Sequence, residues 1–507
     1  LNGRGVLVGI IDTGIDYLNK EFQREDDTTR IVRIWDQTIQ GNKEIYSLKY
    51  GTEYTEDQIN QAIRLQASGG DPYSIVPSKD DIGHGTRMAG IIGGRGINPD
   101  LKGAASDCQF IIVKLSRATK VELDVAVIDK TDVPSYSPWS ALLALRYIIA
   151  VARELKRPVV VFEPLGSNMG SHTGNGIVEQ SINNYSTQSG TVVVVPTGNQ
   201  GNTDTHTEGI IESSGDIKDI EIRVGEKQKN LPIEIWVNKP NRVKLSIISP
   251  SGEMIDNLDS KNANNERIKF LYEGTEMIVN FTSPELSTGD SHIFIRAYNL
   301  KAGIWKFRLT GQYIVEGKYY AWIPQRELLD SETKFLNSVG YTTLTLSSTS
   351  NRAISVAYYN QEDNSVVTES GRGYTRDKMI KPDIAAGGFN AIVTNPGGGT
   401  AVISGASVAG AVVAGCCALI LQWAVTDKNY PDIYAEQIKA YIISGAKGRP
   451  GDVYPNKEWG YGMFDMKGIF DRIKDTYNPR KSEDYEEYRV NNLFIRIPKS
   501  RYNRTIN

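Results

Sequence analysis

Gly397–Ala424 reads GGGTAVISGASVAGAVVAGCCALILQWA: a glycine-rich turn, a Gly405-Ala406-Ser407 step, then an unbroken apolar run. No Asp, Glu, Lys or Arg occurs between Ile384 and Thr426. A hydroxyl at the start of a long apolar helix has three readings. It can be a nucleophile, because unpaired backbone N–H groups and the helix dipole favour developing negative charge there. It can be the N-cap of an ordinary buried core helix. The run is also long enough to cross a bilayer. Two other stretches bear on the choice. One is the apolar run Val6–Ile11, which ends at Asp12-Thr13-Gly14; the other is Gly83-His84-Gly85-Thr86, which opens a short apolar helix over Arg87–Gly94.

Around these stretches the chain alternates two patterns. Short β-branched runs at Phe110–Leu115, Val159–Phe162, Val192–Val195 and Ala353–Tyr359 are apolar on both faces, as strands of a doubly covered sheet are. A helical pattern over Trp139–Lys156 has Pro138 before it and Pro158 after it. Strand and helix in alternation predict an α/β domain with a mainly parallel sheet flanked by helices. From about 210 to 341 the pattern changes to short alternating runs such as Ile233–Val237, Val243–Ile248, His292–Ala297 and Trp305–Leu309. These predict a β-sandwich or jelly roll inserted into the α/β domain. The expected division is 1–209 and 342–471 for the α/β domain, 210–341 for the insertion and 472–507 for a tail. Trp236, Phe270, Phe281, Phe294, Trp305, Phe307 and Trp322 are expected to build the insertion's own core, with His292 structural. The tail is an acidic Ser482–Glu487 patch, a strand candidate at Leu493–Ile497 and a basic end with Lys499, Arg501 and Arg504, read as solvated.

Composition narrows the function. The 507 residues are 40% hydrophobic and 23% charged with a formal net charge of −3, a globular profile with no field favouring nucleic acid. Three Cys and four His supply neither a disulfide framework nor a zinc spacing. The Asp26-Asp27 and Asp80-Asp81 pairs are read as solvated rather than as calcium ligands. No signal peptide is visible. The first residue is Leu1, which fits removal of an N-terminal part.

Acyl transfer needs what the three stretches offer together. A serine hydroxyl is a weak nucleophile until an imidazole takes its proton, and a carboxylate must fix that imidazole's tautomer. Asp12 ends a buried strand, so its carboxylate emerges at the sheet edge where α/β sites form. Glycines on both sides of His84 leave its ring reachable. The order Asp12, His84, Ser407 is that of the subtilisins.

Asp12-Thr13-Gly14, Gly83-His84-Gly85-Thr86 and Gly405-Ala406-Ser407 resemble the three signature motifs of subtilisin-like serine proteases, the S8 family. Gly103-Ala104-Ala105, Gly198-Asn199, Lys381-Pro382-Asp383-Ile384 and Gly460-Tyr461-Gly462 with Asp465 resemble further family motifs in the same order. The resemblance covers about 1–209 and 342–470. It implies that Asp12, His84 and Ser407 form the triad and that the Asn199 side-chain amide helps bind the oxyanion. It also implies that Pro164-Leu165-Gly166 pairs with the substrate backbone as an added strand. Gly198 would lie opposite, flanking the first specificity pocket. The chain departs from the family at Ala406, where Thr is usual, and at Val408–Val412, which lacks the usual Pro and His. Pro164 has no N–H, so one substrate-pairing donor is missing.

The insertion, with Ala302–Gly311 and Tyr320-Ala321-Trp322-Ile323, is similar to that of the Csp germination proteases of clostridial spores. That similarity implies a propeptide removed autocatalytically that can stay bound, a spore or extracytoplasmic location, and activation of a spore-cortex hydrolase precursor as the role. Peptides or proteins are the expected substrates, with no organic cofactor, metal, nucleic acid or membrane span. The rival is a pseudoprotease that uses the same shell for binding or signalling.

Overall fold

The computed structural model describes residues 1–41, 44–259, 265–477, 485–490 and 493–498. Its centre is a nine-stranded sheet. From one edge the order is Ser365–Val366, Ile354–Asn360, Thr191–Pro196, Val159–Phe162, Leu7–Asp12, Gln109–Lys114, Ile31–Asp36 and Thr52–Thr55; Ile384–Gly387 also pairs with Ile354–Asn360. All neighbours run parallel except the pairs that bring in Thr52–Thr55 and Ser365–Val366. Leu7–Asp12 sits between Gln109–Lys114 and Val159–Phe162. There the chain changes the side on which it adds strands, and crevices open at such points beyond the strands' C-terminal ends.

The predicted strand centres match the observed strands, with ends moved by a residue. The runs are apolar throughout because both faces are covered. Pro138–Leu155 packs on one face, where Leu7, Ile11, Val161 and Val193 meet Ile148 and Val151. Ala406–Leu421 and His84–Gly93 pack on the other, with Val8, Ile10, Val160 and Val194. Pro138 is itself the first residue of its helix, where its missing N–H leaves no bond unmade. The Ala406–Leu421 helix has no polar face because it is enclosed on all sides, with 13 of its 16 residues buried. Among the described residues, Ala406–Thr426 is the one helical stretch long and apolar enough to span a membrane, and 72% of that stretch's most apolar window lies inside the protein.

Between Thr191–Pro196 and Ile354–Asn360, which pair directly, the chain forms two antiparallel sheets. A five-stranded sheet contains Ile217–Val224 and Gly303–Tyr313; a six-stranded sheet contains Leu231–Val237, Ser291–Tyr298 and Lys318–Trp322. One apolar core fills the space between them, with Ile222, Leu245, Trp305 and Phe307 facing Ile233, Ile235, Ile295 and Ala321. The fold is subtilisin-like, an α/β sheet flanked by helices with an inserted all-β region.

The insertion's aromatics do not all lie in that core. Phe270, Trp305 and Phe307 do, and Phe281 packs at its margin. Trp236, Phe294 and Trp322 project from the opposite face of the six-stranded sheet. Side-chain alternation explains it: Ile233, Ile235 and Val237 fill the core, so Glu234 and Trp236 point the other way. Trp322 stacks on His172 of the α/β region, with ring centroids 4.1 Å apart. Arg376 lies over Trp236 at 4.8 Å and pairs with Asp290 at 2.7 Å. His292 stacks on Trp236 at 4.0 Å. This face therefore forms the seam that holds the insertion to the rest of the protein.

Leu493–Pro498 is a strand, paired antiparallel with Tyr485–Val490. Lys499, Arg501 and Arg504 lie outside the described residues, as does the first half of the Ser482–Glu487 patch.

Candidate active site

Asp12 is the last residue of the central strand and is fully buried. Its Oδ1 accepts from the Thr13 N–H at 2.7 Å. His84 is the first residue of its helix, reached through Gly83 at φ +86°, a left-handed turn that favours glycine. The next residue, Gly85, lies so close to the Gly14 carbonyl that a Cβ would sit 2.1 Å from that oxygen. This close packing brings His84 Nδ1 to 2.9 and 2.8 Å from the two Asp12 carboxylate oxygens. With Nδ1–H directed at Asp12, Nε2 is left with a lone pair and can act as base. Burial pulls the His84 pKa down, but the Asp12 charge and hydrogen bond outweigh it, and the net shift is upward.

Ser407 is the second residue of the Ala406–Leu421 helix and is half-buried. Gly410 seats this helix against Phe162 and Pro196, at the ends of two adjacent strands. Further along, Gly415 meets Ile92, and eight residues earlier on each helix stand Ser407 and His84. Among the described residues no hydrogen bond joins Ser407 Oγ to His84. Hydrogen bonds of this kind are often long in a site without substrate.

Asn199 follows the Thr191–Pro196 strand through Thr197 and Gly198. Its Oδ1 accepts from the Ala406 N–H at 3.0 Å. That bond fixes the amide beside the Ser407 turn and leaves its N–H₂ group free to donate. Pro164-Leu165-Gly166 continues from the Val159–Phe162 strand, with Pro164 buried and Gly166 exposed. Gly198 lies across from Gly166, and Thr345 stands between them. A Cβ on either glycine would come within 2.4 Å of the Thr345 side chain.

Four features were not legible beforehand. Asp80 is buried rather than solvated: it accepts from Thr13 Oγ1, from the Gly83 and Thr86 N–H groups and from Thr86 Oγ1 at 2.6–2.8 Å. Its neighbour Asp81 is exposed and meets Lys114 at 3.4 Å. The two differ because only Asp80 finds four donors within the fold. Thr345 gave no signal. Gln325, on the return from the insertion, donates through Nε2 to the Gly166 carbonyl at 2.6 Å. Glu163 is buried just before Pro164 with Ser347 Oγ at 3.5 Å, and burial pushes its pKa up to about 8. Among the described residues no group of three or more His, Cys, Asp or Glu is placed to hold a metal.

A carboxylate–imidazole pair beside a helix-start serine, at the C-terminal edge of a parallel sheet, makes this a serine hydrolase of the subtilisin type. The chain belongs to the subtilase family, peptidase S8, whose model matches residues 3–231 and 335–462. The structure of the CspB protease of Clostridium perfringens is similar over 95% of this chain and 94% of that one, with 30% identity and a TM-score of 0.83. The PII-type proteinase of Lacticaseibacillus paracasei is 23% identical over 87% of this chain, and the PI-type proteinase of Lactococcus lactis subsp. cremoris 22% identical over 87%. The chain spans about a quarter of the length of these two relatives, 24% in each case.

Proposed function

We propose that the chain is an endopeptidase in which Ser407 attacks the scissile carbonyl and forms an acyl-enzyme. The observation that carries this reading is the contact of His84 Nδ1 with both oxygens of the buried Asp12. It leaves Nε2 to take the Ser407 proton and return it to the leaving amine. Asn199 Nδ2 and the Ser407 N–H are the donors for the oxyanion. The substrate backbone adds as a strand along Pro164-Leu165-Gly166, with Gly198 opposite, flanking the pocket for the side chain before the scissile bond. Gln325 occupies the Gly166 carbonyl in the free enzyme and gives way to the substrate's own N–H.

The likeness to the CspB protease supports the more specific reading. In it the two-sheet insertion is a jelly roll within 210–341, and the enzyme works outside the cytoplasm or in the spore. It arises from a precursor by cutting off its own propeptide, which can stay bound, and it activates a spore-cortex hydrolase precursor. The test is mass spectrometry of the natural precursor, wild type beside Ser407→Ala. Self-processing gives a shortened chain in the wild type alone; equal shortening in both excludes it.

A further inference from the structure

Asp80 stands between the two turns that carry Asp12 and His84. Its Oδ1 accepts from Thr13 Oγ1 at 2.7 Å and from the Gly83 N–H at 2.7 Å. Its Oδ2 accepts from the Thr86 N–H at 2.8 Å and from Thr86 Oγ1 at 2.6 Å. A carboxylate has about four acceptor positions, so all of Asp80's are used. Both hydroxyls therefore spend their proton on Asp80 and keep lone pairs for other donors. Thr13 Oγ1, on the Asp12 turn, then accepts the Gly85 N–H of the His84 turn at 2.9 Å. Thr86 Oγ1, on the His84 helix, accepts the Asp16 N–H of the Asp12 loop at 2.9 Å. The two cross-ties are reciprocal, and each depends on Asp80 acting only as an acceptor.

We propose that Asp80 is a positioning residue for catalysis, which through Thr13 and Thr86 locks the Asp12 and His84 turns in the register that lets His84 Nδ1 reach Asp12. The proposal rests on Asp12 and His84 being the catalytic pair. An amide at position 80 is nearly the same shape but turns one acceptor into a donor. Facing the Thr86 N–H it repels, and the Thr86 cross-tie is lost. The Asp12–His84 contact then loosens, and displacements of about 1 Å at a reacting group lower rates about 10²-fold. The charged groups facing His84 are Asp12, Asp80 and, one turn along its own helix, Arg87. Removing the Asp80 charge withdraws part of the field that favours the protonated imidazole.

The experiment compares Asp80→Asn, Thr13→Val, Thr13→Ser and His84→Ala with the wild type on a peptide substrate, with kcat expressed per folded protein. Asp80→Asn is expected to lower kcat about 10²-fold with little change in KM, and to move the acid limb of kcat/KM to lower pH. If Asp80→Asn does not fold, the threonine pair decides: Thr13→Val is expected to lose rate and Thr13→Ser, which keeps the hydroxyl, to regain most of it. Wild-type kcat and an unmoved acid limb in Asp80→Asn, or equal rates for Thr13→Val and Thr13→Ser, overturn the proposal. Full activity in His84→Ala would instead overturn the catalytic pair on which it rests.

Discussion

His172 gives the sharpest prediction about the seam between the insertion and the catalytic region. Its ring is buried, stacks on Trp322 at an interplanar angle of 9°, and approaches the Asn168 carbonyl through Nε2 at 2.8 Å. Burial lowers its pKa from 6.5 to about 3, so it is neutral in the folded protein at any mild pH. In the unfolded chain it takes a proton below pH 6.5. The folded pKa is depressed, so the stabilisation is complete above pH 6.5 and is lost as pH falls toward 3. The unfolded state then binds one more proton, a slope of about 1.4 kcal/mol per pH unit and about 5 kcal/mol across that window. His292 and Glu234, 3.8 Å apart, do not blur this result. Burial lowers His292 to about 4 and raises Glu234 to about 7. Between pH 4.5 and 6.5 the folded pair holds its proton on Glu234 and the unfolded pair on His292, so the count is the same. His172→Phe keeps the stack and removes the titration. It should be about 1–3 kcal/mol less stable at pH 7, because the Asn168 carbonyl loses its donor. Its denaturant-derived stability should fall less steeply than the wild type's from pH 6.5 to 4, by about 1.4 kcal/mol per pH unit. Parallel curves for the two proteins would refute the argument that His172 is held neutral.

Asn199→Ala should reduce kcat by about 10²–10³ with little effect on KM, as loss of one oxyanion donor does in proteases of this family; an unchanged kcat would remove Asn199 from the oxyanion site. The rate should rise with pH as His84 loses its proton. Because Asp12 holds the His84 pKa above the ordinary imidazole value, the acid limb of kcat/KM should lie higher than that of a free histidine. A profile flat through that limb, with chemistry limiting, would exclude His84 as base. Replacing 210–341 by a Gly/Ser linker should leave hydrolysis of a small ester intact and lower KM for longer peptides, since Gln325 no longer competes with the substrate for the Gly166 carbonyl. The shortened enzyme should also unfold faster, having lost the Trp322–His172 and Arg376–Asp290 contacts. Loss of ester hydrolysis from a folded shortened protein would make the insertion part of the active site.

The central strands were legible because a sheet covered on both faces leaves β-branched runs without alternation, and Leu7–Asp12 and Thr191–Pro196 are such runs. Asp12, His84 and Ser407 could be singled out because each stands at the end or start of an apolar element with a glycine within two residues. Asp80 was not. In sequence it is half of an Asp-Asp pair, and nothing local separates it from Asp81; only the fold delivers four donors to one carboxylate and a lysine to the other. The insertion's strands could be read from their alternation, but not which aromatics faced its core. Trp236 and Trp322 are as apolar as Trp305, yet period 2 puts them on the outer face, where the catalytic region covers them. That covering surface comes from His172 and Arg376, residues far away in the chain. Thr345 could not have been picked out, because its role is to fill space between Gly166 and Gly198, which meet only in three dimensions.

The most direct test of the account is covalent labelling of the active enzyme with a fluorophosphonate, followed by peptide mapping by mass spectrometry. The account predicts one adduct per chain, on Ser407, formed more slowly as pH falls and His84 becomes protonated, and absent from Ser407→Ala. An adduct on another serine, or none on a protein that still cleaves peptides, would contradict it.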